Sequence, residues 1–319
     1  MKGVSRRIEF ACVGMPRSPH DFVCPETLDH PDRVSRGNCP TTPELTSLRM
    51  AFERIMYSDD RDPKGGLQGK VAIVTGSGRE NGIGAGIALA LARNGASVVV
   101  NYVSDSTKDR AAGVCRTLHA AGGKAIVVQA SIETPEGAQH LVNKTLEGFE
   151  TDHIDILVNN AGTGFLSHIT EEPNVEQLTK VFQTNVLGPF YMVHYVVPHM
   201  PRGGRIVNIS STNSKRGNVQ ISSYAASKAA LDNLTWTWAG ELGRSKGITV
   251  NSVAPGPVIT DIYPEGSVDQ IAGPEISVTR AADRAGTPAD IGDAVLLLVN
   301  EKSRWITGQY ISVSGGTTY

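Results

Sequence analysis

From residue 70 onward, short and continuously apolar runs alternate with longer stretches of helical periodicity, and this restricts the available folds more than any other feature of the chain. The apolar runs fall at 71–75, 97–102, 125–130, 156–159, 205–210, 248–253 and 310–313. They are rich in Val and Ile and lack an apolar–polar alternation, so each strand has both faces covered, as in a parallel sheet. Helical stretches separate them at 82–94, 106–121, 135–149 and 175–200, and from about 222 to 242. Right-handed crossovers place such helices on both faces. The expectation is an α/β fold: one doubly wound domain over residues 65–319, with a seven-stranded parallel sheet and ligands at the carboxyl ends of its strands.

Residues 1–64 lack this pattern and are rich in Pro, Arg, Asp and Ser. They read as a loosely ordered N-terminal extension with one helix at about 43–57. Thr42 caps that helix, Pro43 takes its first position, and Leu45, Leu48, Phe52, Ile55 and Met56 recur at helical spacing. Lys2, Arg6 and Arg7 suit a mitochondrial presequence, but Glu9, Asp21, Glu26, Asp29 and Asp32 do not, which favours an accessory arm and a cytoplasmic protein. The net charge of −2 gives no electrostatic case for nucleic acid or an anionic membrane. No apolar run approaches the length of about 18 residues that a membrane span needs. Cys12, Cys24, Cys39 and Cys115 show no zinc spacing and fit a reduced, intracellular chain. His168, His194 and His199 likewise lack metal-ligand spacing, so no metal is expected.

Chemistry concentrates in two stretches. Thr75-Gly76-Ser77-Gly78-Arg79-Glu80-Asn81-Gly82-Ile83-Gly84 joins the first strand to the first helix. Glycines there let backbone N–H groups approach a pyrophosphate, and the helix N-terminus favours the anion. The second strand ends Val100-Asn101-Tyr102-Val103-Ser104, with no acid before Asp105 to accept from a ribose 2′-hydroxyl. Arg79 suits a 2′-phosphate, which favours NADP(H) over NAD(H). In the other stretch, Ser211 ends the strand at 205–210, and Tyr224 and Lys228 follow four residues apart on one helix face. A free tyrosine titrates near pH 10. A lysine one turn away favours the phenolate and brings that pKa toward the working range. Ser211 is placed to hydrogen-bond a substrate oxygen whose charge changes during reaction.

With these motifs in this order, the chain resembles the short-chain dehydrogenase/reductase family over about residues 69–319. Its closest likeness is to the 3-oxoacyl-carrier-protein reductases and fungal polyketide ketoreductases, which share Asn101-Tyr102. The resemblance implies a Rossmann-like fold and an NADP(H)-dependent oxidoreductase acting on a small carbonyl compound or secondary alcohol. It assigns catalysis to Asn185, Ser211, Tyr224 and Lys228. Asn185 would hold a water that links the lysine to solvent, and Lys228 would also hydrogen-bond the nicotinamide ribose. Cofactor contacts are expected from Gly76, Ser77, Arg79, Gly82, Ile83, Gly84, Asn101, Tyr102, Ser131, Asn160, Ala161, Gly162, Tyr224, Lys228, Pro255, Gly256, Val258 and Thr260. It also implies a homotetramer or homodimer formed through the Tyr/Lys helix and the helix before it. Trp236 and Trp238, two apart on the former, face different ways, one inward and the other toward a subunit interface.

The chain departs from the family at three points. Five residues separate Gly76 from Gly82, where the common pattern has three. That length is similar to the loop of divergent enoyl reductases, whose catalytic spacing differs from Tyr224-x-x-x-Lys228. Ser131 replaces an aspartate near the adenine, and Asp105 lies close to the expected 2′-phosphate. The segment from 261 to about 285, with Ile262, Tyr263, Pro264 and Gly266, reads as a lid, and residues 212–223, with Asn213, Lys215 and Gln220, as the opposite wall of the substrate cleft. Enoyl reduction and a non-catalytic dinucleotide-binding scaffold are the alternatives to carbonyl reduction.

Overall fold

Strands β1 (Val71–Val74), β2 (Ser97–Tyr102), β3 (Lys124–Gln129), β4 (Ile156–Asn159), β5 (Arg205–Ile209), β6 (Thr249–Pro255) and β7 (Tyr310–Val313) form one sheet in the order β3-β2-β1-β4-β5-β6-β7. Every pairing is parallel. The computed structural model describes residues 66–261 and 268–317, with the backbone alone over 268–271. The extension at 1–64 with its helix at 43–57, the cysteines Cys12, Cys24 and Cys39, and Ile262, Tyr263, Pro264 and Gly266 lie outside the described residues.

The central strands β1, β4, β5 and β6 are buried at every position. Successive side chains of a strand point to opposite faces, so each strand feeds two cores. Val74, Val100, Val158 and Val207 enter one core, with helices α1 (Ile83–Arg93) and α2 (Lys108–Ala120) covering it. Ile73, Val99, Leu157 and Ile206 enter the other, under α3 (Pro135–Phe149). Burying one such aliphatic side chain is worth about 1.5–3 kcal/mol, which explains why the unbroken Val/Ile runs fix these strands at the sheet centre.

The helix expected over 175–200 is broken into α4 (Val175–Phe182), a π-helical turn (Gln183–Leu187) and α5 (Gly188–Val196). The N–H of Gly188 reaches five residues back to the carbonyl of Gln183. Pro189 has no N–H to give the carbonyl of Asn185, so the regular ladder cannot pass this point, and a π turn is one of the few ways to accommodate that. A short helix α6 (Asn213–Arg216) follows β5, and α7 (Ser222–Lys246) begins two residues before Tyr224 and runs past the expected end near 242. The segment expected as a lid contains α8 (Val268–Ile276).

A helix absent from the sequence expectation, α9 (Pro288–Val299), packs on the first core through Ile291, Val295 and Leu298. Its start carries a full capping box: the Thr287 hydroxyl accepts from the Asp290 N–H, and the Asp290 carboxylate accepts from the Thr287 N–H. It meets α1 backbone to backbone. A Cβ on Gly86 would lie 2.3 Å from the Pro288 carbonyl oxygen, and one on Gly292 2.6 Å from that of Gly86. The helix that follows the glycine loop is thereby locked against the body of the domain.

Candidate active site

The strand order reverses between β1 and β4, and the crevice beyond the carboxyl ends of these strands is where a doubly wound sheet takes a ligand. Both adjoining loops are built to meet there. The Thr75 hydroxyl oxygen accepts from the N–H groups of Asn160 and Ala161, each at 3.0 Å. The Asn160 side-chain amide donates back to the Thr75 and Gly76 carbonyls at 2.8 and 3.1 Å. Gly76 stands at φ +63°, where a Cβ would lie 2.8 Å from Ala161 Cα. A Cβ on Gly84 would strike the Asn160 amide at 2.5 Å. Gly82 caps α1 and Ile83 opens it, so the free N–H groups of the helix face the crevice.

The cofactor residues expected at the end of β2 divide into two kinds. Asn101 is fully buried and its amide is occupied. Its Oδ1 accepts from the Gly76 N–H at 3.0 Å, and its Nδ2 donates to the Ala130 and Val128 carbonyls at 3.0 and 3.3 Å. Ser77, also buried, bonds the Val74 carbonyl and accepts from the Asn101 N–H. These two side chains shape the glycine loop from behind. Tyr102 is nearly buried, and its hydroxyl lies 3.3 Å from Gln129 Oε1. The Gln129 amide in turn donates to Asp105 Oδ1 at 2.9 Å. Arg79 is exposed, and its side chain forms no hydrogen bond or ion pair with the described residues, while its carbonyl accepts from the Gly82 N–H. It follows Gly78, where a Cβ would lie 2.8 Å from Tyr102 Cβ, so the loop passes directly over the end of β2. Ser131, beyond β3, is half-buried, and its hydroxyl accepts from the Glu133 N–H.

The four residues expected to be catalytic come from three places in the fold: the end of β5, helix α7 and the π turn. Ser211 is buried beyond β5, its Oγ accepting from the Asn213 N–H at 3.2 Å. Tyr224 is half-buried on α7, where Gly164 of the loop after β4 comes so close that a Cβ there would lie 2.9 Å from the phenol ring. Lys228 is 3% exposed, with Nζ 5.8 Å from the Tyr224 ring centroid and donating to the Ile209 carbonyl at 2.8 Å. Burial pulls its pKa down from 10.5 to about 8, against the opposing charge of Asp232. The lysine therefore still carries its proton at neutral pH. Asn185 sits within the π turn and is fully buried. Its Nδ2 donates to the Thr163 carbonyl and to Ser227 Oγ, and its Oδ1 accepts from the Thr163 N–H. A Cβ on Gly162 would lie 3.2 Å from Lys228 Nζ and 3.3 Å from Asn185 Oδ1, so three elements converge on that glycine.

Pro255 and Gly256 end β6 beside β7: the Gly256 N–H donates to the Val313 carbonyl, and the Pro255 carbonyl accepts from the Thr212 N–H next to Ser211. Val258 is buried and pairs with Gly286, and Thr260, two residues on, is half-buried. Asp261 then forms an ion pair with Arg110 of α2. The cleft wall ahead of α7 is held under strain. Gln220 adopts φ +66°, its carbonyl accepts from the Ser167 N–H at 2.9 Å, and its amide lies 2.7 Å from His168 Nε2. Sequence reasoning missed several groups that hold this site. Ser227, which receives the Asn185 amide, was legible as the residue before Lys228. Glu133 was not: it bonds Thr184 Oγ1 at 2.7 Å and Lys180, and its carbonyl accepts from the Gln183 amide, fixing the π turn from some fifty residues away. Among the described residues, no group of three or more His, Cys, Asp or Glu could hold a metal ion.

A family model described as Enoyl-(Acyl carrier protein) reductase matches residues 76–318. The short-chain dehydrogenase/reductase FrzI of Cladobotryum sp is 40% identical over 266 residues, covering 80% of this chain and 98% of that protein. Among solved structures, a blue fluorescent protein from a metagenomic library, in complex with NADPH, is 35% identical with a TM-score of 0.73, covering 80% of this chain and all of that one. The angucycline C-6 ketoreductase LanV with bound NADP is 35% identical with a TM-score of 0.70, covering 79% of this chain and 97% of that one. The chain belongs to the short-chain dehydrogenase/reductase family. It is an oxidoreductase, and no helix among its described residues is long and apolar enough to cross a membrane.

Proposed function

We propose that this oxidoreductase is an NADP(H)-dependent carbonyl reductase that reduces a ketone, or oxidises the corresponding secondary alcohol, on a small secondary-metabolite-like or 3-oxoacyl-type substrate. The observation that carries the reading is the placement of Tyr224 above a buried Lys228, with Ser211 at the neighbouring strand end. The residues fit a dinucleotide: Gly76 and Gly84 leave no room for side chains where the loop turns, and the N-terminus of α1 opens onto the same crevice. Bound NADPH would supply the hydride. Tyr224 gives its proton to the substrate oxygen, and Ser211 Oγ holds that oxygen. The Lys228 ammonium stabilises the phenolate that results and would hydrogen-bond the nicotinamide ribose of a bound cofactor. Asn185 ties the loop after β4 to α7 behind the lysine. Gly162, Val258 and Thr260 would border the nicotinamide, and Asn160, Ala161, Pro255 and Gly256 shape that wall.

NADP(H) is favoured because the Arg79 side chain is exposed and, among the described residues, unpaired, while the Asp105 carboxylate is held by Gln129. Neighbours solved with NADP or NADPH support this choice. Phe190 and Trp236, 48% and 66% exposed on α5 and α7, fit the association of copies through these helices, whereas Trp238 is buried against Phe190. Enoyl reduction is the second reading, favoured by the long glycine loop and opposed by the Tyr224–Lys228 spacing. Parallel assays on a ketone and an enone separate the two. Tyr224→Phe should remove nearly all ketone turnover while NADPH binding, followed by fluorescence, stays within a few-fold of wild type. Turnover within a few-fold of wild type in that variant would overturn the assignment.

A further inference from the structure

One acidic group beneath the Tyr224–Lys228 pair has no part in the mechanism above. Asp232 lies four residues after Lys228, so the two side chains leave α7 on the same face. Its side chain is 8% exposed. Oδ2 accepts from Ser214 Oγ at 2.6 Å, with Lys215 Nζ at 3.8 Å. Oδ1 is buried and accepts no hydrogen bond from the described residues. A buried carboxylate with one bare oxygen is a costly thing to keep in a fold; an amide there would bury no charge, and an aliphatic side chain no polar atom. What only the acid provides here is negative charge close to a buried ammonium.

We propose that Asp232 is a positioning residue that acts through Lys228: its charge keeps the lysine protonated across the working pH range, and its bond to Ser214 fixes the turn that presents Ser211. The proposal rests on the Tyr224–Lys228 reading above. Ser214 belongs to α6, which starts two residues after Ser211, so one carboxylate touches both halves of the site. The pKa of Lys228 fits this role, since burial depresses it and Asp232 is the charge that opposes the depression. The other groups around the pair are accounted for. From α7 itself comes Tyr224, and from α6 come Lys215 and Arg216. Arg216 is tied to Glu275 of α8 at 3.0 Å. From β7 comes Tyr310, whose ring lies 4.6 Å beneath Lys215 Nζ and whose pKa is raised by burial and by Asp232. The π turn contributes only the uncharged Asn185. Lys215 partly offsets the charge of Asp232, so removing either should move Lys228 in opposite directions.

Ketone reduction needs both Tyr224 and Lys228 protonated, so the alkaline fall of kcat reports the first deprotonation of this coupled pair, which a charge beside the lysine moves. At saturating NADPH, Asp232→Asn should move that fall to lower pH by about one unit, as expected for one unit charge lost within a partly screened interior. Asp232→Glu should restore it, and Lys215→Met should move it to higher pH. Ser214→Ala removes the hydrogen bond and keeps the charge, so it should lower kcat without moving the profile. An unmoved profile in Asp232→Asn overturns the proposal, as does a Ser214→Ala shift as large as that of Asp232→Asn. If Asp232→Asn does not fold, by circular dichroism, Lys215→Met decides alone, and an unmoved profile there overturns it. Turnover surviving in Tyr224→Phe would instead sink the Tyr–Lys reading and leave the charge linkage between Asp232 and Lys228 to stand on the Lys228 titration.

Discussion

Lys228→Met should leave an enzyme that turns over poorly yet is as stable as the wild type or more so at neutral pH, and the pH dependence of that stability is the sharper test. A lysine in the unfolded chain holds its proton to about pH 10.5, whereas Lys228 in the folded chain holds it to about pH 8. Below pH 8 both states carry the proton, and the fold bears the whole penalty of burying the charge, on the order of 3 kcal/mol. Between pH 8 and 10.5 the folded protein has released a proton that the unfolded chain still holds. Rising pH therefore stabilises the wild type through this residue. Methionine has no such titration and fills a similar volume. It also removes the 2.8 Å bond to the Ile209 carbonyl. Leaving that carbonyl buried and unpaired costs about 1–3 kcal/mol. At pH 7 the variant should thus be roughly 0–2 kcal/mol more stable than wild type, with kcat down by about 10²–10⁴. Between pH 7 and pH 10 the stability difference should swing toward the wild type by roughly 2–3 kcal/mol. Urea unfolding of the cofactor-free proteins at both pH values measures it. A difference that stays constant with pH would refute the assignment of Lys228 as a buried ammonium, whatever happens to turnover.

Two further predictions concern residues away from the proton path. Arg79→Gln should weaken NADPH binding by about 10–100-fold, the range of a charge-assisted hydrogen bond, and leave NADH binding within about two-fold; equal losses for both in a fluorescence titration would assign selection to another group. Thr287→Ala removes the hydroxyl half of the α9 capping box and should cost about 1 kcal/mol, or a Tm lower by about 2–4 °C by calorimetry, with kcat at 25 °C unchanged.

The sheet was legible because its signal is local. Continuous Val/Ile runs marked all seven strands, and 97–102, 156–159 and 310–313 fall where the structure has them. Helix α9 was equally legible, since Thr287-Pro288-Ala289-Asp290 is a capping signature followed by Ile291, Val295 and Leu298 at helical spacing. It was obscured by the long irregular segment that precedes it. What no local pattern could show were bonds between distant polar groups. Asn101 stands at the end of β2, where family likeness reads a cofactor contact. Its amide is instead committed to Gly76, 25 residues before it, and to Ala130, 29 after. Asp232 draws nothing to itself in the sequence, and its burial comes from contacts with Ser214 and Lys215 of α6.

The π turn shows how such distant bonds bear on the site. Pro189 and Gly188 signal a disturbed helix, but the sequence does not say where the disturbance will lie or which way Asn185 will face. Pro189 removes the donor that would serve the Asn185 carbonyl, and Glu133, from beyond β3, grips Lys180, Gln183 and Thr184 on the turn before it. Between these restraints Asn185 is rotated toward Thr163 and Ser227, where both N–H bonds of its amide are engaged. Its side chain therefore acts as a fastener between the loop after β4 and α7. Any water that Asn185 holds on the way from Lys228 to solvent must be met by its oxygens: the second lone pair of Oδ1, or the main-chain carbonyl that Pro189 cannot serve. The proline that interrupts the helix and the asparagine expected in the relay are thus two parts of one local device: their spacing of four acts through the main-chain ladder, whereas that of Tyr224 and Lys228 acts through side chains on one helix face.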